Sequence, residues 1–82
     1  MAGVEKSSPY REVLIGMINS INQIIPLSPE NQVLIVLQLD TEEKIQKWFE
    51  WMRPKIKGEN DLQATEAEIV RAAVTINKGL EP

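Results

Sequence analysis

The chain has 82 residues, 26% of them charged, and a formal net charge of −3. That length falls below the roughly 100–150 residues of a typical domain, so it allows one small domain and no separate regulatory one. With neither Cys nor His in the chain, disulfides, thiolate nucleophiles, Cys-zinc sites and imidazole acid–base chemistry are all excluded.

A hydrophobic share of 43% predicts a folded core. The acidic balance argues against a general nucleic-acid binder, which needs a basic face to neutralise phosphates. The longest unbroken apolar run is Val33 to Leu37, far short of the roughly 20 residues that span a bilayer. No basic stretch precedes an apolar one near Met1, and Gly3 is one place too late for a myristoylation signal. The expected location is cytoplasmic.

Residues 1–7 lack periodicity and are expected to form a flexible N-terminus ahead of a single helical domain over 8–80. Ser8-Pro9 is a helix-start signal: the hydroxyl caps an orphan amide, and proline at the first position loses no bond. Tyr10, Val13, Leu14, Met17, Ile18, Ile21, Ile24 and Ile25 then share one face, with Arg11, Glu12, Asn19, Asn22 and Gln23 opposite. Pro26 disfavours helical geometry at Ile25. The spacing predicts a helix over 9–25.

Ser28-Pro29-Glu30 repeats the start signal and predicts a second helix over 29–39. Between Val33 and Leu39 only Gln38 is polar, so the segment is apolar nearly all round and carries no helical phase. Val33, Ile35 and Val36 are β-branched, and the alternative is a buried strand over 32–39.

Asp40-Thr41-Glu42-Glu43 reads as a capping box, with Asp40 as N-cap and Glu43 reaching back, which opens a third helix over 41–53. Ile45, Trp48, Phe49 and Met52 form its core stripe, and Pro54 ends or kinks it. Gly58-Glu59-Asn60-Asp61 reads as a loop. Thr65-Glu66-Ala67-Glu68 is a full capping box for a last helix over 66–78, with Gly79 placed as its C′ residue. The expected architecture is all-α, a small bundle of four short helices.

Motifs for phosphate loops, dinucleotides, zinc, nucleophile elbows and EF-hands are all missing from the chain. The pairs Glu42/Glu43 and Glu66/Glu68 sit in first helical turns, where the macrodipole keeps carboxylates ionised. A general acid needs the opposite shift. No catalytic, cofactor-binding or metal-binding residue is expected, and the chain reads as non-enzymatic.

Two surfaces stand out. Lys44, Lys47, Trp51 and Lys55 share one side of the third helix, an aromatic among cations suited to an acidic protein partner. The plainer reading is that lysine stems cover a half-buried indole. On the last helix, Ala67, Val70, Ala73 and Val74 form a second apolar face in addition to its core side, permitting close approach of another helix. That face is the candidate subunit contact of a homodimer.

With residues 32–39 as a strand, Gln32 to Gly79 resembles the ribbon-helix-helix repressors. The order would be a strand over Val33–Leu39, a helix over Thr41–Arg53 and a helix over Glu66–Lys78. Ala67-Glu68-Ile69-Val70-Arg71-Ala72-Ala73 is similar to that family's second-helix pattern. The resemblance implies an obligate dimer whose paired strands enter the major groove of DNA. The sequence departs from the pattern in its apolar strand positions, longer inter-helix loop and acidic charge. The favoured expectation is a protein–protein interaction or regulatory module that self-associates, with a small dimeric DNA-binding regulator as the alternative.

Overall fold

The computed structural model describes residues 9–82; the expected flexible N-terminus and the Ser8 cap lie outside them. In chain order the elements are α1 (Pro9–Ile24), α2 (Pro29–Gln38), α3 (Glu42–Met52), a 3₁₀ turn (Arg53–Lys55), β1 (Ile56–Gly58), β2 (Asp61–Leu62) and α4 (Glu66–Asn77). All the expected helices form, each within one residue of its expected ends.

Residues 32–38 belong to α2, which overturns the strand alternative and with it the DNA-reading ribbon. The cap decides the segment. The Ser28 hydroxyl accepts the Asn31 amide at 3.3 Å, and the Gln32 amide donates to the Ser28 carbonyl at 3.0 Å. Once nucleated, a helix tolerates β-branched residues at a cost of only tenths of a kcal/mol each.

Two local expectations are corrected. The N-cap of α3 is Thr41, whose hydroxyl accepts the Lys44 amide at 3.2 Å, and not Asp40. With Thr41 as the cap, Lys44 occupies the third helical position, so Glu43 cannot close a reciprocal box. Asp40 instead pairs with the Lys44 ammonium at 2.8 Å. The loop at 58–61 is the tip of an antiparallel hairpin that pairs Ile56 with Leu62 and Gly58 with Asp61. Its strands, of three and two residues, are too short to show periodicity, and Glu59-Asn60 is not a strong hairpin dipeptide.

Both ends of α4 form as the sequence predicts. The Thr65 hydroxyl accepts the Glu68 amide at 3.2 Å, and the Glu68 carboxylate accepts the Thr65 amide at 2.9 Å. At the other end Gly79 takes a φ of +81°. Its amide donates to the Ile76 carbonyl at 2.9 Å, and the Leu80 amide donates to Thr75 at 3.1 Å. This Schellman pair satisfies two terminal carbonyls and turns the chain back on itself.

The core is one cluster drawn from every helix: Leu14, Ile18 and Ile21 of α1, Ile35 of α2, Ile45, Trp48 and Met52 of α3, and Ile69, Ala72, Ala73 and Ile76 of α4. α4 packs on α2 and α3, while α1 lies against α2, α3 and β2. Trp48 is fully buried, and its indole N–H donates to the Ile69 carbonyl at 3.3 Å, which removes the cost of burying that donor. Glu66 fastens the start of α4 to the start of α2. One of its carboxylate oxygens accepts both the Ser28 amide at 2.8 Å and the Asn31 side-chain amide at 2.6 Å.

Candidate functional site

The lysine–tryptophan cluster on α3 divides in two. Lys44 is held within the fold, donating to Asp40 at 2.8 Å and to the Asn77 side chain at 2.7 Å. Asn77 in turn donates to Gln38 at 2.8 Å, so these residues form a polar clasp between α2, α3 and α4. Lys47, Trp51 and Lys55 remain on the surface side. The Lys55 ammonium sits 4.4 Å from the centre of the Trp51 ring, a cation–π contact. Trp51 is half-buried and packs against the core, so the plainer reading also holds for part of its ring.

The chain itself approaches this surface. After the turn at Gly79, Glu81 comes within 3.8 Å of the Lys47 ammonium. Pro82 lines a cavity of about 180 Å³ together with Trp51, Glu68, Arg71, Ala72 and Thr75, so its wall carries charges of both signs. Sequence reasoning missed this contact, because Lys47 and Glu81 are brought together only by the chain reversal at Gly79.

The small-residue face of α4 is placed differently from expectation. Ala73 is wholly buried in the chain's own core and offers nothing to a second subunit. Val70 is half-buried and packed against the core, Val74 is half-buried, and Ala67 is exposed. Close approach of another helix does occur along α4, but the neighbours are α2 and α3 of the same chain.

An unpartnered apolar surface lies between α1 and α2. Ile15, Ile18, Val33, Val36 and Leu37, with Asn19 and Gln32, line a groove of about 220 Å³ that has no charged wall. Ile15 is 45%, Val33 58% and Leu37 63% exposed. The signal for it in the sequence was the all-apolar run of α2, which buries only Ile35 completely and turns its surplus outward. Ile15 gave a second signal, since it lies off the apolar stripe of its own helix.

Hydrogen bonding holds the perturbed carboxylates in their charged forms. The Ser28 amide, aided by the Asn31 side chain, lowers the Glu66 pKa. The Thr65 amide lowers that of Glu68, and the Lys44 ammonium that of Asp40. Tyr10 is raised by its hydrogen bond to the Glu42 carboxylate. These shifts suit capping and clasping; a proton-donating carboxyl needs the reverse. Among the described residues no group of three or more acidic side chains converges to hold a metal ion, and no helix is long and apolar enough to cross a membrane. Comparison with protein-family models, with curated proteins and with solved structures finds no match for this chain.

Proposed function

We propose that this chain is a non-enzymatic protein-interaction module whose first partner is a second copy of itself, joined through the α1–α2 groove. The carrying observation is the uncharged groove flanked by exposed Ile15, Val33 and Leu37. Its volume of about 220 Å³ accommodates roughly two branched aliphatic side chains at interior packing density. Val33 and Leu37, one helical turn apart, are such a pair, so the face is complementary to itself across a two-fold axis. An isologous contact also needs no opposite charge, which this face does not offer.

The size of the face sets the strength. A 16-residue helix beside a 10-residue one presents roughly 400 Å², so a dimer buries on the order of 800 Å² in total. That is at the weak end of specific interfaces, and association is therefore concentration-dependent. This reading moves the subunit contact from α4 to α1–α2 and retains the cytoplasmic location. Light scattering across a dilution series is the test. Mass should rise from one chain towards two with concentration, and Leu37→Glu should hold it at one without loss of helicity. Val74→Glu, on the α4 side, should still dimerise. A single-chain mass at every concentration, or a Leu37→Glu variant that associates normally, overturns the proposal.

A further inference from the structure

We infer that the two-fold axis of the proposed dimer runs along the α1–α2 groove, so that α1 of each copy lies on α2 of the other and Asn19 donates to Gln32 of the partner subunit. This rests on the groove being the subunit contact, and it names the residue pair that fixes how the copies meet. The groove differs from one end to the other. Leu27, in the connection between the helices, donates its amide to the Asn22 side chain at 2.7 Å, and its carbonyl accepts from the Gln32 side chain at 2.9 Å. The end of α1 and the start of α2 are thus tied at this connection, and the two helices run antiparallel away from it. Asn19, one turn before Asn22, and Gln32 line the groove near the connection, whereas Ile15, Val36 and Leu37 line it further away. One end is carboxamide and the other aliphatic.

The two carboxamides are complementary. The Gln32 side-chain nitrogen is engaged by Leu27, which leaves its oxygen to accept. Asn19 is exposed, and among the described residues no hydrogen bond engages its side chain, so its nitrogen is free to donate. A wholly apolar partner covering the groove would strand both groups. A second copy supplies the matching group twice, Asn19 of each to Gln32 of the other.

That pairing selects the axis. A two-fold along the groove keeps every residue at its own level, so Asn19 meets the partner's Gln32 and Ile15 meets the partner's Leu37. A two-fold across the groove turns the second copy end for end and sets carboxamides on aliphatic side chains. The axis along the groove also makes each α1 antiparallel to the α2 it covers, the arrangement of an up-and-down bundle.

The experiment mixes isotope-labelled and unlabelled full chain at a concentration where light scattering reads a dimer, and records isotope-filtered NOE spectra. Signals between copies should join the Asn19 side-chain amide to the Gln32 side chain, and Ile15 to Leu37. Asn19→Asp replaces the donor by a carboxylate facing an acceptor and should raise the concentration of half-association roughly tenfold, with helicity unchanged. Asn19→Lys, equally charged but a donor, should raise it less. Signals between copies that join Asn19 to Ile15 or Leu37 overturn the inference. So does an Asn19→Asp variant that associates like the unaltered chain, or one that loses no more than Asn19→Lys. In each of those outcomes Leu37→Glu still abolishes the dimer and the groove remains the contact. A single-chain mass at every concentration overturns the contact and its axis together.

Discussion

The seam of α4 and the outer face of α1–α2 are both apolar helix surfaces, yet they differ in what completes them. Along α4, Ile69, Ala72, Ala73 and Ile76 are all buried against α2 and α3, and the buried Trp48 indole N–H is satisfied by the Ile69 carbonyl. On the outer face, Val13, Ile15, Val33 and Leu37 remain exposed. Capping separates the two as well. α4 carries a reciprocal box at one end and a Schellman turn at the other, whereas α2 has a serine cap and an apolar body facing two ways. Small chains bury a limited fraction of their surface, and this one concentrates it where α4 can be reached from two sides. The stable scaffold therefore gathers around α4, while the apolar surface left open lies across α1 and α2.

The comparison predicts a steep gradient in the cost of substitution. Trp48→Ala should be the most damaging, costing about 3–5 kcal/mol by cavity formation and loss of a satisfied donor, read as a fall in the denaturant midpoint. A cost under about 1 kcal/mol would mean that the α3–α4 seam is not where stability resides. Within α2, Ile35→Ala should cost about 2–5 kcal/mol, while Leu37→Ala, two residues on, should stay within about 0.5 kcal/mol in the dilute monomer. Equal costs would erase the distinction between the two faces of that helix.

At the end of α4, Gly79→Ala should cost about 1–2 kcal/mol, because a Cβ disfavours the positive φ that the Schellman turn requires. Nothing lies within 4 Å of the Cβ it would add, so the penalty is conformational and not steric crowding. Thermal unfolding compared with Asn at the same position checks this, since Asn tolerates that region better. The gentlest effect is the pH dependence of the clasp between α2 and α4. Glu66 has its pKa lowered on folding, so its contribution is present above the ordinary carboxylate range and is lost as pH falls through the folded pKa. Glu66→Gln should therefore lower the melting temperature at pH 7, with the difference from the unaltered chain narrowing towards pH 3. A gap that stays constant with pH would remove the charge from the explanation.

Much of this architecture was legible one residue at a time. Ser28, Thr65 and Gly79 each act within a few residues of where they stand, through hydrogen bonds to the adjacent turn or a backbone conformation only glycine enters freely. Pro26 and Pro54 mark ends for the same local reason. The stripe of Ile45, Trp48 and Met52 carried its own phase and faces inward as its spacing requires. Asp40 and Thr41 show the resolution limit of such signals: two adjacent residues can both cap, and only the assembled structure, with Lys44 paired to Asp40, assigns the cap to Thr41.

The sites were less legible, because each depends on contacts between residues far apart in the chain. An apolar run without phase, as in Val33–Leu39, does not say that Ile35 and Leu39 turn inward while Val33 and Leu37 stay out. Small residues on α4 promised close helix packing, but whether the neighbouring helix comes from the same chain is a question of topology. Lys44 was one cation among several until Asn77 and Asp40 closed around it. Composition, caps and periodicity thus set a helical, Cys- and His-free module with its helix ends in place, since these are local consequences of bonding and spacing. Which apolar face is covered, which cation is engaged and where the chain returns on itself were decided by packing, where burial by one neighbour leaves the opposite surface open to another.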